Sequence, residues 1–259
     1  MGVSASASAQ RGDCALAGVE IARIGEAHDQ GRLAVMLRGH ERQRGGTGAR
    51  IAIVDSSSGA PAAAAMGVEP VHIRPYLGEP LPDAEDLAGL VVLGGPEGAA
   101  DDEAPEHLVR ERDLLRSAVD MGLPVLGICF GAQLLAVALG GAVTRDAEPE
   151  VGIDVVRLTH EGRHDAVLGS LLREFPMLQW HYHSYSPPAG AGRLASSDAC
   201  SEQAFRIGER AYGLQFHAEI TGELAVLIAD QMPSRSLDRA GVEAASRSGA
   251  MLLDRFFAL

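Results

Sequence analysis

The fold is decided by residues 123–136, which read LPVLGICFGAQLLA. An apolar run ends at Gly127, and a helix-like stretch then continues to Leu139, where two glycines follow. A short apolar run followed by a helical one is typical of a buried strand, a turn and a helix. The pattern therefore predicts a strand–turn–helix unit with Cys129 at the turn.

Cys129 stands in a Gly-x-Cys-x-Gly pattern between Gly127 and Gly131, the thiol counterpart of the nucleophile elbow. Glycines on both sides let the backbone turn tightly and hold a nucleophile clear of its own chain. A helix N-terminus carries about half a positive charge, which lowers the pKa of a nearby thiol. The pattern alone is equally consistent with a buried structural cysteine, because free cysteine is among the most buried residue types. Other parts of the sequence are needed to distinguish a nucleophilic cysteine from a structural one.

Composition excludes several classes of protein. The net charge of −13 over 259 residues argues against nucleic acid as a partner, since phosphate binding needs a basic surface. All 22 basic residues are arginine, and the lack of lysine excludes a Schiff-base enzyme and a Walker A phosphate loop. The three cysteines, Cys14, Cys129 and Cys200, fit no metal or disulfide spacing, which suits a reducing cytoplasm. No apolar run approaches the roughly 18 residues of a membrane span, so no membrane contact is expected.

Two parts of the chain differ in character. Residues 1–48 are expected to be an N-terminal extension that is partly disordered, as over residues 1–10, or forms short helices, one of them including Leu33, Met36 and Leu37. Residues 49–259 are expected to form the main domain, whose C-terminal helices occupy residues 221–259.

Short apolar runs alternate with helical patterns in the first half of this domain. Strands are expected at residues 51–54, 68–73, 87–93 and in the opening stretch, with helices near 61–66 and at 105–121. Later, short strands predominate, at residues 151–158, 177–183, 193–196, 203–207 and 211–216, before helices at 220–231 and 237–257. This order predicts an α/β fold with an open, mostly parallel twisted sheet flanked by helices, and a small added antiparallel β region.

Three polar or glycine-rich loops follow predicted strands. The first is residues 94–98, the second contains Cys129, and the third contains His217 and Glu219. Open α/β sheets place their sites at the carboxyl ends of strands, so the three loops are expected to meet. A nucleophilic cysteine needs a base, and the base needs an orienting group. His217 and Glu219 are two residues apart in extended backbone and can therefore face the same way.

The same loops carry a resemblance to a known family. The motifs GGP at residues 94–96, GICFGAQ at 127–133 and YGLQFHAE at 212–219 look like the signatures of class I, triad-type glutamine amidotransferases. They are most similar to the glutaminase domain of GMP synthase and its stand-alone relatives. The match covers about residues 50–220. It implies the flavodoxin-like sheet of that family, without cofactor or metal.

The resemblance also implies roles for single residues. Cys129 would attack the side-chain amide of glutamine, His217 would carry its proton to ammonia, and Glu219 would orient His217. The backbone N–H groups of Gly95 and Phe130 would form the oxyanion hole.

Substrate binding is implied for three further positions. Gln133 resembles the residue that helps to hold the main-chain groups of glutamine. The backbone around Ser184 and Tyr185 matches the loop that binds the α-amino and α-carboxylate groups.

Two departures from the family pattern bear on the site. Ala218 replaces the usual proline between the histidine and the glutamate, which should loosen the loop without removing a reacting group. The substrate loop reads His183-Ser184-Tyr185 where His-Gly-Asp is usual, which puts the choice of amino acid in doubt more than the chemistry. His181 and His183 lack a third ligand at a fitting spacing, so no metal site is predicted.

The sequence leaves three functions open. The first is a glutaminase subunit that supplies ammonia to a separate synthetase, since no Ser-Gly-Gly-x-Asp-Ser pyrophosphate loop is present and residues 221–259 are too few for a synthetase module. The second is a stand-alone γ-glutamyl hydrolase that uses the same three residues. The third is a non-catalytic regulatory or binding relative, against which the intact triad argues.

Overall fold

The computed structural model describes residues 34–38, 50–54, 69–73, 75, 78–95, 104–220 and 237–259. Residues 1–10 and the helices predicted near 61–66 and 220–231 lie outside the described residues, apart from Ile220.

Ten described strands form a single sheet. They are β1 (Ala34–Arg38), β2 (Arg50–Val54), β3 (Glu69–Ile73), β4 (Leu87–Val92), β5 (Val125–Ile128), β6 (Ala142–Leu158), β7 (Glu174–Ser186), β8 (Gly192–Ser196), β9 (Ala204–Ile207) and β10 (Ala211–Leu214). Their spatial order is β1-β3-β2-β4-β5-β10-β9-β8-β6-β7.

Three α-helices are described: α1 (Glu106–Asp120), α2 (Phe130–Ala138) and α3 (Arg239–Phe257). The predicted helices at 105–121 and 237–257 are confirmed as α1 and α3. Asp238 caps α3, because its Oδ1 accepts a hydrogen bond of 2.7 Å from the N–H of Gly241. Among the described residues, no helix combines the length and apolar content that a bilayer crossing needs.

The middle of the sheet is parallel, whereas β1 at one edge and the strands beyond β10 on the other side are antiparallel. The pairs β3–β2, β2–β4, β4–β5 and β5–β10 are parallel. From β10 onward the pairs β10–β9, β9–β8, β8–β6 and β6–β7 are antiparallel. The predicted α/β class with a large open sheet is confirmed. The antiparallel region is more than a small addition, since four strands continue the same sheet beyond β10.

Two elements differ from what the sequence predicts. Residues 34–38 form β1, which pairs antiparallel with both β2 and β3, so the short helix expected there is wrong. β6 begins at Ala142, nine residues before the predicted strand, because it pairs along almost the whole length of β7. In both places pairing with a neighbouring strand overrides a local pattern that gives little indication of extended backbone.

Helices cover both faces of the central strands, and β5 shows how. Val125 packs with residues of α1 and α2 in one buried cluster. Leu126 and Ile128 point to the other face and pack in a second cluster with Leu252 and Phe256 of α3. A strand buried on both faces reads as a continuous apolar run, which is why the sequence predicts β5 so clearly. Packing against helices on both faces fixes the position of β5, and therefore the position of Cys129 directly after it.

Candidate active site

The carboxyl ends of β4, β5 and β10 meet at one edge of the sheet. These three strands are parallel neighbours, and Gly127 of β5 is level with Val92 of β4 and Gly213 of β10. The loops that follow therefore start side by side, as the sequence predicts. They carry Gly94 and Gly95, Cys129, and His217 with Glu219.

The turn between β5 and α2 is strained at Cys129. This residue has φ 53° and ψ −111°, and it is the only non-glycine residue of the described ranges with positive φ. Such a sparsely populated backbone conformation costs a non-glycine residue roughly 1–3 kcal/mol. The N–H of Cys129 donates a hydrogen bond of 2.7 Å to the carbonyl oxygen of Leu214, which ties the turn to β10. This is the geometry of a nucleophile elbow, with the side chain at the N-cap of α2.

The two glycines of the elbow are required by close packing. A Cβ atom on Gly131 would overlap the carbonyl oxygen of Val92 and lie 3.1 Å from its Cβ. A Cβ atom on Gly127 would overlap the carbonyl oxygen of Gly131 and lie 2.7 Å from the backbone nitrogen of Ala132. Only glycine at both positions lets α2 start directly against β4 and β5.

Gly131→Ala is expected to lower the free energy of unfolding by about 3 kcal/mol, the upper end of overpacking effects, because the added methyl group meets rigid backbone. Urea unfolding monitored by circular dichroism measures this change. Gly241→Ala in the first turn of α3 is the control, since the three atoms nearest its added Cβ belong to the side chain of Asp238 and not to backbone. Equal stability of the two variants would contradict the packing argument.

His217 and Glu219 form a buried pair beside Cys129. Nδ1 of His217 lies 2.7 Å from Oε1 of Glu219. The backbone N–H of His217 donates to the carbonyl oxygen of Leu178 at 2.9 Å, which fixes the loop against β7. A Cβ atom on Gly94 would lie 3.3 Å from Cε1 of His217 and 3.7 Å from Cβ of Cys129. The imidazole and the thiol therefore rest against the same glycine.

Electrostatics favour an ion pair between the thiol of Cys129 and the imidazole of His217. Burial by itself would raise the pKa of the Cys129 thiol, but the charge of His217, a hydrogen bond to it and the charge of His181 outweigh burial and lower the pKa. Burial would likewise lower the pKa of His217, yet the charges of Glu219 and Cys129 raise it well above its ordinary value. Thiolate and imidazolium therefore coexist between the lowered and the raised pKa.

The ion pair predicts a pH profile. Alkylation of Cys129 by iodoacetamide should have its midpoint below that of free cysteine, whose pKa is about 8.5. His217→Gln should move the midpoint upward, because the neutral amide no longer stabilises the thiolate. Mass spectrometry of the peptide that contains Cys129, at a series of pH values, measures both midpoints. A wild-type midpoint at or above that of free cysteine would rule out the ion pair.

Gln133, predicted to contact substrate, joins α2 to β7 in this structure. Its Nε2 donates to the carbonyl oxygen of His183 at 2.9 Å and to Oε1 of Gln215 at 3.3 Å. The side chain is buried, at 6% exposure. Gln133 therefore fixes the backbone at His183. The loop that the resemblance implies at Ser184 and Tyr185 is part of β7 in this structure, because both residues pair with β6.

Ser184 and Tyr185 both turn their side chains into the protein. Oγ of Ser184 lies 3.1 Å from Sγ of Cys200. The ring of Tyr185 stacks edge-on against Phe205, and burial raises its pKa well above the ordinary value. Ser184 and Tyr185 can therefore contact a ligand on the side of Cys129 only through their backbone atoms. The family resemblance likewise implies backbone contacts at these two residues.

Gly95 and Phe130, predicted to form an oxyanion hole, lie at the same edge of the sheet as Cys129. Gly95 is three residues beyond the end of β4, and Phe130 is the first residue of α2. The N–H groups of a first helical turn point out of the helix end, where a negative charge is stabilised.

Three groups at the site were missed by the sequence analysis. The carbonyl oxygen of Trp180 lies 3.8 Å from Sγ of Cys129. His181 contributes to lowering the pKa of Cys129, and Nε2 of His181 lies 3.2 Å from Oε2 of Glu150. The sequence pattern around His181 indicates at most a metal ligand and gives no sign of a contact with the Cys129 loop. Across the described residues, no cluster of His, Cys, Asp and Glu could hold a metal ion.

Comparison with known proteins shows to which family the chain is similar. A family model described as glutamine amidotransferase class-I matches residues 63–227, which include Cys129, His217 and Glu219. The chain is 35% identical over 154 residues to YfeJ, a glutamine amidotransferase-like protein of Salmonella typhimurium, covering 58% of this chain and 64% of YfeJ. It is 34% identical over 183 residues to the glutamine-hydrolysing GMP synthase of Leifsonia xyli, covering 68% of this chain and 34% of that enzyme.

Solved structures give the same result. A glutamine amidotransferase from Methylobacillus flagellatus superposes with a TM-score of 0.66 at 26% identity, covering 76% of this chain and 87% of that one. A glutamine amidotransferase from Thermotoga maritima gives a TM-score of 0.62 at 26% identity, covering 72% and 84%. By contrast, the chain spans only about a third of the GMP synthase it matches.

Proposed function

Because the chain belongs to the class-I glutamine amidotransferase family, we propose that it hydrolyses the side-chain amide of glutamine through a thioester on Cys129. The observation that carries the proposal is the arrangement of Cys129, His217 and Glu219. They combine a strained elbow thiol with a lowered pKa, an imidazole with a raised pKa, and a carboxylate 2.7 Å from that imidazole. These are the nucleophile, base and orienting group that amide hydrolysis needs.

In the first half of the reaction, the thiolate of Cys129 attacks the side-chain carbonyl carbon of glutamine. A carbon–sulfur bond forms, and the electron pair of the C=O bond moves to oxygen. The N–H groups of Gly95 and Phe130 stabilise that oxyanion, each worth about 3–4 kcal/mol by analogy with measured oxyanion holes. His217 then donates its proton to the amide nitrogen, the carbon–nitrogen bond breaks and ammonia leaves.

In the second half, water attacks the thioester. His217 is now neutral and takes a proton from the water as the carbon–oxygen bond forms. The second tetrahedral intermediate collapses, the carbon–sulfur bond breaks and glutamate leaves. The thiolate and the imidazolium are restored. Glu219 holds Nδ1 of His217 throughout, so that Nε2 is the atom that exchanges the proton.

Substrate is proposed to lie between α2 and β7. Gln133 and the backbone of Ser184 and Tyr185 are candidates for holding the α-amino and α-carboxylate groups. Gln133 would serve this purpose through the carbonyl of His183, because its hydrogen bond there holds β7 next to Ser184 and Tyr185. No cofactor is part of the proposal. Because the nucleophile must remain a free thiol, a reducing compartment such as the cytoplasm suits it.

The ammonia is proposed to go to a separate synthetase. Support comes from the relatives, since the GMP synthase of Leifsonia xyli matches this chain over 34% of its own length and is named as glutamine-hydrolysing. Such an arrangement is expected to keep the isolated chain slow and to speed it up when the acceptor enzyme binds. The acceptor is defined only by its chemistry, as an enzyme that adds ammonia to an activated carbon.

Ammonia release by the purified full chain tests the proposal, with glutamine and a γ-glutamyl dipeptide measured in parallel. Glutamine is expected to be hydrolysed slowly, and Cys129→Ala should abolish the release. Fast cleavage of the dipeptide with glutamine a poor substrate would favour the stand-alone γ-glutamyl hydrolase. No turnover of either compound, with Cys129 unreactive toward electrophiles, would favour the non-catalytic relative.

A further inference from the structure

Gln215 is a buried polar residue beside the site that the proposed mechanism does not use. It follows β10 directly and lies close to His217 in the chain. Its backbone N–H donates a hydrogen bond of 2.9 Å to the carbonyl oxygen of Gln203, which continues the pairing of β10 with β9. The side chain is completely buried, and its Oε1 accepts a hydrogen bond of 3.3 Å from Nε2 of Gln133. Gln215 therefore contacts the proposed substrate site through Gln133.

The hydrogen bonds of Gln133 determine which way its amide group is turned. The carbonyl oxygen of His183 can only accept, so the Gln133 atom that lies 2.9 Å from it is the nitrogen. That nitrogen carries two hydrogens, and the second is directed at Gln215. An amide nitrogen cannot accept a hydrogen bond, so the Gln215 atom at this contact is its oxygen. Both hydrogens of the Gln133 amide are therefore used within the protein.

Only the amide oxygen of Gln133 remains for a ligand. Across the described part of the chain, no group donates a hydrogen bond to this Oε1, and the atom is not sealed off in the interior. Gln133 lies one helical turn after Cys129 and therefore on the same side of α2. An oxygen in this position can accept a hydrogen bond from the α-ammonium group of glutamine. It cannot bind the α-carboxylate, which has no donor.

Stability does not explain why the side chain of Gln215 is polar. Its Nε2 is buried, and none of the residues that the structure describes offers it a hydrogen bond. Leaving half of a buried amide without a partner costs free energy, so an apolar side chain of similar length should be more stable here. A buried residue that breaks this rule next to a site is expected to have a function.

We propose that Gln215 is a positioning residue, whose amide oxygen holds the amide of Gln133 with its own oxygen directed at the substrate. The inference rests on the proposed function, because the substrate is taken to be glutamine bound between α2 and β7. Without the contact to Gln215, only the hydrogen bond to His183 opposes rotation of the Gln133 amide about its last torsion, which has a broad minimum. Gln215 thereby sets the preference of the site for a free α-ammonium group.

Protection of Cys129 from iodoacetamide tests the inference on the full chain. The measured quantity is the ligand concentration that halves the alkylation rate, for glutamine and for 4-carbamoylbutanoate, which is glutamine without its α-amino group. Gln215→Met should raise this concentration about tenfold for glutamine, the lower end of what a hydrogen bond to a charged group contributes. The value for 4-carbamoylbutanoate should not change, because that compound has no ammonium group. The melting temperature should be at or above that of the wild type.

Gln203→Met is the matched control, since Gln203 is also completely buried but its side chain contacts Glu150 and Ser197. It should leave protection by glutamine unchanged. Gln133→Met should weaken protection by glutamine, and adding Gln215→Met should weaken it no further, because Gln215 acts only through Gln133. Should Gln215→Met fail to fold, Gln215→Asn replaces it with the same expected result, because the shorter amide cannot reach Gln133.

Three results would overturn the inference: equal weakening of both ligands by Gln215→Met, unchanged protection by glutamine, or additive weakening in the double variant. Where 4-carbamoylbutanoate gives no protection even of the wild type, the double variant decides. Continued hydrolysis of glutamine would leave the proposed function standing in each of these cases. Protection that follows the expected pattern without release of ammonia would defeat only the proposed hydrolysis. A wild-type protein that glutamine does not protect would contradict both.

Discussion

Cys129→Ala should reduce glutamine hydrolysis by about 10⁶-fold, the size of effect seen when the nucleophile of a catalytic triad is removed. The methyl side chain keeps the Cβ atom and therefore the same backbone strain at φ 53°. The variant should consequently fold with a nearly unchanged melting temperature, which separates loss of chemistry from loss of structure. Ammonia release and thermal unfolding, measured on the same preparation, test both statements.

Cys200→Ala is the matched control for this experiment. Cys200 is also a buried thiol outside any disulfide, at 6% exposure, and it contacts Ser184 and Ser197. It should retain most of the activity. Activity that survives Cys129→Ala and disappears in Cys200→Ala would exclude Cys129 as the nucleophile.

Glu219→Gln should reduce turnover at saturating glutamine by about 10⁴-fold, as the corresponding change does in a serine triad. The amide is neutral, so the charge that raises the pKa of His217 is lost and the imidazolium becomes easier to deprotonate. The amide can also donate a hydrogen bond to Nδ1, which favours the tautomer with the proton on Nε2. Such an imidazole cannot accept a proton from water in the second half of the reaction.

The pH dependence of kcat measures the loss of the Glu219 charge separately from the change of tautomer. The imidazolium of His217 should be lost at a lower pH in Glu219→Gln than in the wild type. Glu243→Gln on α3 is a suitable control, because that carboxylate pairs with Arg239 on an exposed surface. If Glu219→Gln hydrolysed glutamine at the wild-type rate, the hydrogen bond of 2.7 Å would have no role in catalysis.

Much of the site could be predicted because its residues lie at the ends of strands with a strong local signal. The fully buried strands β5 and β10 read as apolar runs, and Cys129 and His217 follow them closely. Parallel pairing then brings the two residues together without any detailed knowledge of packing. The sequence predicts that the glycines of the elbow permit a tight turn. The structure shows that Gly131 also allows α2 to contact Val92.

The parts that could not be predicted depend on register between distant strands. Glu150 meets His181 only because β6 and β7 pair with a shift between Arg145 and Glu150. The local sequence pattern does not indicate this register shift. Pairing likewise turns residues 34–38 into β1, where the apolar residues suggested a helix. The inward direction of the Ser184 side chain follows from its contact with Cys200, which is 16 residues away in the chain.

Covalent labelling with a diazo-ketone analogue of glutamine tests the central claim most directly, namely that Cys129 is a glutamine-directed nucleophile. The full chain is incubated with the analogue, with and without excess glutamine, and the modified peptides are mapped by mass spectrometry. The expected result is a single adduct on Cys129 whose formation is slowed by glutamine. An adduct on Cys14 or Cys200, with Cys129 unmodified in the folded protein, would contradict it.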